Sequence, residues 1–122
     1  MIVNVCVGSN DLERGGKFYD AVAGELGAAR AQQTETAIFW RHPDGGLGIA
    51  ITRPYDGEPA TRGNGTMITL GAKDRDQVDR VHAAALANGG SDEGPPGVRP
   101  NGYYVAYFRD PEGNKLNVVA MG

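Results

Sequence analysis

The chain has 122 residues, 40% of them hydrophobic and 22% charged, which fits one globular domain and leaves no room for two of ordinary size. Its 15 acids against 12 Lys and Arg give a net charge of −3, so no basic stripe exists to neutralise phosphates and nucleic-acid binding is not expected. The single cysteine, Cys6, excludes an intramolecular disulfide and a cysteine-based zinc site.

Residues 2–8, Ile2-Val3-Asn4-Val5-Cys6-Val7-Gly8, are predicted as a strand rich in β-branched side chains. No apolar run approaches a membrane span, and this opening has no basic region or signal-type apolar core, so no membrane association and a cytoplasmic location are expected. Val3, Val5 and Val7 share one face of the strand, and Ile2, Asn4 and Cys6 the other. Asn10 before Asp11-Leu12-Glu13 predicts a capping box, with Asn10 as cap and Glu13 bonding back. Leu12, Tyr19, Val22, Ala23 and Leu26 then recur at helical spacing until Gly27 supplies a stop. Gly15-Gly16 should weaken the first turn by about 1 kcal/mol per glycine relative to alanine.

Three extended segments follow at 29–34, 36–42 and 47–53, the last two joined by His42-Pro43-Asp44-Gly45-Gly46. Residues 54–64 are rich in turn formers and without period, and read as a linker. A second strand–helix pair then begins at Gly65, with Asp74 and Gln77 opening a helix whose apolar stripe is Val78, Val81, His82, Ala85 and Leu86. Segments 91–98, 102–109 and 114–120 again read as strands. Shifting the chain by 63 positions sets Gly8 on Gly71, Asp11 on Asp74, Ala21 on Ala84 and Gly27 on Gly90. This is an internal duplication.

The expected architecture is therefore a single α+β domain of two tandem βαβββ modules, about 1–53 and 65–122, forming a curved sheet with helices outside and a central cleft. By alternation Val3, Val5, Val7, Ile68 and Leu70 should pack on the helices. The residues expected to face the cleft and contact a ligand are Asn4, Cys6, Thr52, Met67, Thr69, Tyr104 and Asn117.

The opening strand with Ser9-Asn10-Asp11-Leu12-Glu13-Arg14, then Phe18-Tyr19-Asp20, Gly63-Asn64-Gly65-Thr66 and His82-Ala83-Ala84-Ala85-Leu86, resembles the vicinal oxygen chelate superfamily. That superfamily includes glyoxalase I, extradiol dioxygenases and the fosfomycin- and bleomycin-resistance proteins. The most specific part of the resemblance is Tyr103 to Leu116, with its Asp110-Pro111-Glu112-Gly113-Asn114 turn. The turn marks a fold rather than a reaction. Metal-dependent members carry His or Glu on the inner faces of four strands. In this chain those positions fall on Asn4, Met67 and Asn117, while the fourth strand, Leu47-Gly48-Ile49-Ala50-Ile51-Thr52, has no acid or imidazole. Neutral amides and a thioether are poor donors for a divalent Lewis acid, so neither metal nor other cofactor is expected.

The remaining candidates divide as follows. His82 reads as a core or capping histidine and His42 as an exposed turn tip, which leaves no histidine general base in the cleft. Cys6 has no neighbouring cation to activate it and reads as an inert small core residue. Arg53, Tyr55, Arg99, Tyr103 and Tyr104 border the cleft as rim or recognition residues, and only one of Phe39 and Trp40 can face it. Amides buried at Asn4 and Asn117 are costly for a merely structural strand centre and point to a polar, water-filled or ligand-binding cleft. The expected function is metal-free binding of a small organic molecule by a homodimer, in the manner of the bleomycin-resistance type. The alternative is a glyoxalase-like lyase in which Asn4 and Asn117 stabilise an oxyanion and Tyr104 or Tyr107 acts as acid.

Overall fold

A computed structural model describes all of residues 1–122. The elements run β1 (Asn4–Gly8), α1 (Leu12–Glu25), β2 (Ala29–Gln33), β3 (Ala37–Arg41), β4 (Gly48–Thr52), β5 (Met67–Ala72), α2 (Arg75–Ala87), β6 (Ser91–Val98), β7 (Tyr104–Arg109) and β8 (Lys115–Ala120). This is a βαβββ unit repeated. The strands form two separately hydrogen-bonded four-stranded sheets, β1-β4-β3-β2 and β5-β8-β7-β6, rather than one continuous curved ladder. In each sheet the first strand pairs in parallel with the last of its unit, because the helix crosses over between them. No helix is long and apolar enough to cross a membrane.

The period-2 pattern explains which face each helix covers. In the first sheet Val5, Val7, Ile38, Trp40, Ile49 and Ile51 fall on one side by register. In the second, Ile68, Leu70, Ala106, Phe108, Leu116 and Val118 do the same. Val3 departs from the expectation: it precedes β1 and is 65% exposed. The halves meet where α1 packs on α2, and one apolar cluster runs through both. Phe18 and Tyr19 of α1 make an edge contact at 4.9 Å, and Phe18 lies 6.1 Å from Phe108 of β7. Burying each such ring contributes about 2–3 kcal/mol.

Two details of α1 differ from the sequence reading. The cap is Asp11, whose Oδ1 accepts from the Arg14 backbone N–H at 3.0 Å. Asn10 is drawn away instead: its Oδ1 accepts from the Ala60 N–H at 2.6 Å, and its Nδ2 donates to the Ala60 carbonyl and to Glu112. Gly15 and Gly16 are buried positions of close approach rather than a loose turn. A methyl group at Gly15 would come within 2.8 Å of Ile51 Cδ1, and one at Gly16 within 3.1 Å of Ile38 Cδ1. The helix needs hydrogen atoms there to lie down on the sheet.

The Asp110-Pro111-Glu112-Gly113-Asn114 turn locks the halves together. Asp110 is 4% exposed. Its Oδ1 accepts from the backbone N–H groups of Glu112 and Asn114, both at 2.9 Å, and its Oδ2 from the Tyr19 hydroxyl at 2.8 Å and Asn114 Nδ2 at 2.9 Å. Asn114 Nδ2 also donates to the Gly8 carbonyl at 3.2 Å, bringing the end of β1 onto the turn. Gly113 sits at φ +93°, a left-handed conformation that favours glycine. Burial, followed by the charge and hydrogen bond of Asp110, raises the Tyr19 hydroxyl well above the ordinary tyrosine range.

Candidate functional site

Each sheet leaves the face opposite its helix without a covering element of the chain. On the first sheet that face carries Asn4, Cys6, Phe39, Ala50 and Thr52. On the second it carries Met67, Thr69, Val105, Tyr107, Lys115, Asn117 and Val119. A recess of about 240 Å³ opens on the second face, lined by Thr69, Asn101, Tyr103, Val105, Tyr107, Asn117, Val119 and Met121. All eight belong to the second half; Asn4, Cys6 and Thr52 supply none of its walls.

Asn117 is the distinctive residue of this recess. It sits at mid-strand in β8, beside Thr69 of β5 on one side and Tyr107 of β7 on the other. It is 6% exposed, and its Oδ1 is buried without a hydrogen-bond partner. An acceptor left in this state costs about 1–3 kcal/mol, so it calls for an explanation.

The other expected cleft residues are placed as follows. Asn4 is half-buried and Met67 is 43% exposed. Cys6 is exposed rather than part of the core, yet desolvation raises its thiol above the ordinary value, which lowers the thiolate fraction. Thr52 donates its hydroxyl to the carbonyls of Thr36 and Arg53 at 3.2 and 3.0 Å. Tyr104 is a correction. Its hydroxyl donates to Asp79 of α2 at 2.6 Å, and its ring lies 5.0 Å below the Arg75 guanidinium, so it stands on the helix side. The hydrogen bond to Asp79 raises its hydroxyl further from ionisation.

Alternation also divides the aromatic pairs. Phe39 takes the open face, while Trp40 is buried on the covered side and donates Nε1–H to Asp20 at 2.9 Å. Tyr103 lines the recess and Tyr104 does not. His82 is buried on α2 with Nε2 2.9 Å from Asp92 of β6, and that hydrogen bond lowers the Asp92 carboxyl. Neither His82 nor His42 lines the recess. Sequence reasoning missed Asn101, Val119, Met121 and the cation Lys115. The signal was available for two of them, since Lys115 and Val119 share the parity of Asn117 on one strand.

Residues 2–118 match the family model described as the Glyoxalase/Bleomycin resistance protein/Dioxygenase superfamily. The chain belongs to that superfamily. Among solved structures it is similar to a glyoxalase/bleomycin resistance protein from Albidiferax ferrireducens T118, with 43% identity, coverage of 100% of this chain and 99% of that one, and a TM-score of 0.92. A glyoxalase-related enzyme from Fulvimarina pelagi shares 20% identity over 98% of this chain and 87% of that one, with a TM-score of 0.81. A lactoylglutathione lyase from Agrobacterium tumefaciens shares 22% over 99% and 93%, with a TM-score of 0.71. The last two likenesses show the fold alone. No curated protein matches the chain.

Superfamily members that use a metal hold it with imidazole and carboxylate groups on these strands. The donor set of this chain does not fit such an ion. Asn4 and Asn117 offer neutral amides, Met67 offers a thioether, and β4 reads Gly48-Ile49-Ala50-Ile51-Thr52 with no ligating side chain of either kind. No group of three or more His, Cys, Asp or Glu side chains is placed to hold a metal ion. Zinc, nickel, manganese and iron need imidazole, carboxylate or thiolate donors to be held and to polarise a bound oxygen.

Proposed function

We propose that the protein is a cytoplasmic, metal-independent small-molecule-binding member of the superfamily. It takes its ligand on the open sheet faces, in the manner of binding or sequestration rather than Lewis-acid chemistry. The observation that carries this reading is the buried, unpartnered Oδ1 of Asn117, a residue that lines an open recess. A polar atom withdrawn from water and denied a protein partner is stabilised once a ligand supplies the missing hydrogen bond.

A second copy of the chain is proposed to complete the cleft. The open face of the second sheet exposes Met67, Tyr103 and Met121, at 43, 53 and 70%, and Ile2, which has the open-face parity of Asn4 and Cys6, is 69% exposed just before β1. Exposed apolar side chains grouped on uncovered sheet faces are the composition of an interface. A twofold dimer would set the first open face of one chain against the second open face of its partner and close two equivalent clefts. Sedimentation is expected to show a dimer at micromolar concentration, and a monomer would contradict this part of the reading.

The lyase alternative is weaker on particular grounds. Of the two tyrosines offered as acid, Tyr104 is turned to α2 and only Tyr107 shares the open face. The test of the main reading is a thermal-shift screen over small organic molecules, run in the presence and absence of chelator. A stabilising ligand is expected whose shift is the same in both. No shift across the panel, or a shift that chelator abolishes, would overturn it.

A further inference from the structure

The second open face differs from the first in charge. Lys115 stands two residues before Asn117 on the same face of β8. Its ammonium lies 5.5 Å from the Tyr107 ring centroid, and the Arg99 guanidinium also lies 5.5 Å from that centroid. Neither cation takes part in an ion pair, whereas neighbouring Arg109 is engaged by Glu93. Arg99 is held in place by a 2.8 Å bond from its Nη2 to the Pro95 carbonyl, and Asp92 and Glu93 act on Arg99 and Lys115 only beyond ion-pair distance. In a chain whose net charge is −3, two unpaired cations flanking one half-buried ring beside an orphan amide make a specific juxtaposition.

We propose that the recess over Asn117 selects a small organic anion that also carries a hydroxyl group. This rests on the small-molecule reading above and names the class of ligand. The anionic group sits by Lys115 and Arg99 at the Tyr107 side, where cations outside any direct ion pair gain from a partner. The hydroxyl meets Asn117; a hydroxyl both donates and accepts, so it satisfies the amide in either orientation. The body between the two groups lies over the Tyr107 ring, while Val105, Val119 and Met121 wall the recess on the far side of Asn117. Same-face residues on one strand are about 7 Å apart, and that spacing sets the distance between anion and hydroxyl. A para-substituted benzene ring spans about the same length, so 4-hydroxybenzoate is the probe. The recess walls themselves all come from one chain.

The experiment is an amide chemical-shift titration with three probes: 4-hydroxybenzoate, benzoate, which lacks the hydroxyl, and 4-hydroxybenzyl alcohol, which lacks the charge. The expected result is saturable shifts at Thr69, Asn117 and Val119 with 4-hydroxybenzoate, weaker ones with benzoate and weakest with the alcohol. Lys115→Gln and Arg99→Gln should each weaken 4-hydroxybenzoate binding about fivefold. Asn117→Leu should erase its advantage over benzoate, with amide spectra outside the second sheet unchanged to show that the variant folds. If the neutral alcohol binds as tightly as the acid, anion selection falls while small-molecule binding stands. If no probe moves those amides, the ligand assignment for this recess falls, and the thermal-shift screen separately decides whether the protein binds small molecules.

Discussion

Asn114 and Asn117 lie on either side of the start of β8 and are buried alike, at 8 and 6% exposure, but their surroundings are opposite. Asn114 donates to the Gly8 carbonyl and to Asp110, and so closes the clasp between the two halves. Asn117 lines an open recess and its buried Oδ1 has no partner. The residue type and the depth are the same; what differs is whether the chain supplies the other half of each hydrogen bond. Where it does, the asparagine holds the fold together. Where it does not, the site is free for a molecule from outside.

That contrast can be broken by substitution. The largest effect is expected at the clasp itself: Asp110→Ala strands the Tyr19 hydroxyl, the Asn114 amide and two backbone N–H groups, and should cost about 3–5 kcal/mol in denaturant unfolding. Asp44, in the corresponding turn of the first half, is an exposed side chain, and Asp44→Ala should stay within about 0.5 kcal/mol. Asn114→Leu should cost about 2 kcal/mol through the same lost bonds. Gly15→Ala, which drives a methyl into Ile51, should cost about 1–3 kcal/mol. Asn117→Leu should be neutral or raise stability by up to about 1 kcal/mol, because it removes an unsatisfied group. Equal losses for the two asparagine variants would show that Asn117 is structural too.

A smaller effect should be visible in the pH dependence. Folded Tyr19 is held protonated by burial and by Asp110, so its ionisation lies above that of the unfolded chain. Above the ordinary tyrosine value of about 10, the unfolded state releases its proton first, and stability falls as pH rises. Melting temperatures followed into alkali should decline, and Tyr19→Phe should flatten that decline. At the acid end, the hydrogen bond from Arg30 lowers the Asp20 carboxyl. Its contribution is present above the ordinary carboxylate value and is lost as pH falls toward the lowered one. Asp20→Asn should make the acid limb shallower.

Much of the fold was legible in the sequence, because β-branched alternation, a helical stripe and glycine stops recur in the same order in both halves. The capping of α2 by Asp74, with Gln77 reaching back to the Lys73 N–H, follows the local pattern. Asn10 did not follow it, because its competing partners, Ala60 and Glu112, are 50 and 102 positions away. No local rule sees them. Gly15-Gly16 was misread for the same reason: its meaning lies in Ile51 and Ile38, not in helix propensity. Tyr104 was set on the wrong face because parity can be counted along a strand only once the register is known. Pairing Tyr107 with Asn117 fixes Tyr104 on the helix side. The orphan state of Asn117 was beyond reach altogether, since it is a statement about every atom near it.

Metal content of untagged protein, combined with calorimetric titration with zinc, nickel, manganese and iron(II), probes the open-face site most directly. Sub-stoichiometric metal and no saturable divalent site are expected from two amides and a thioether. One equivalent of a tightly held divalent ion, lost on substituting Asn117 or Asn4, would contradict metal-independent binding.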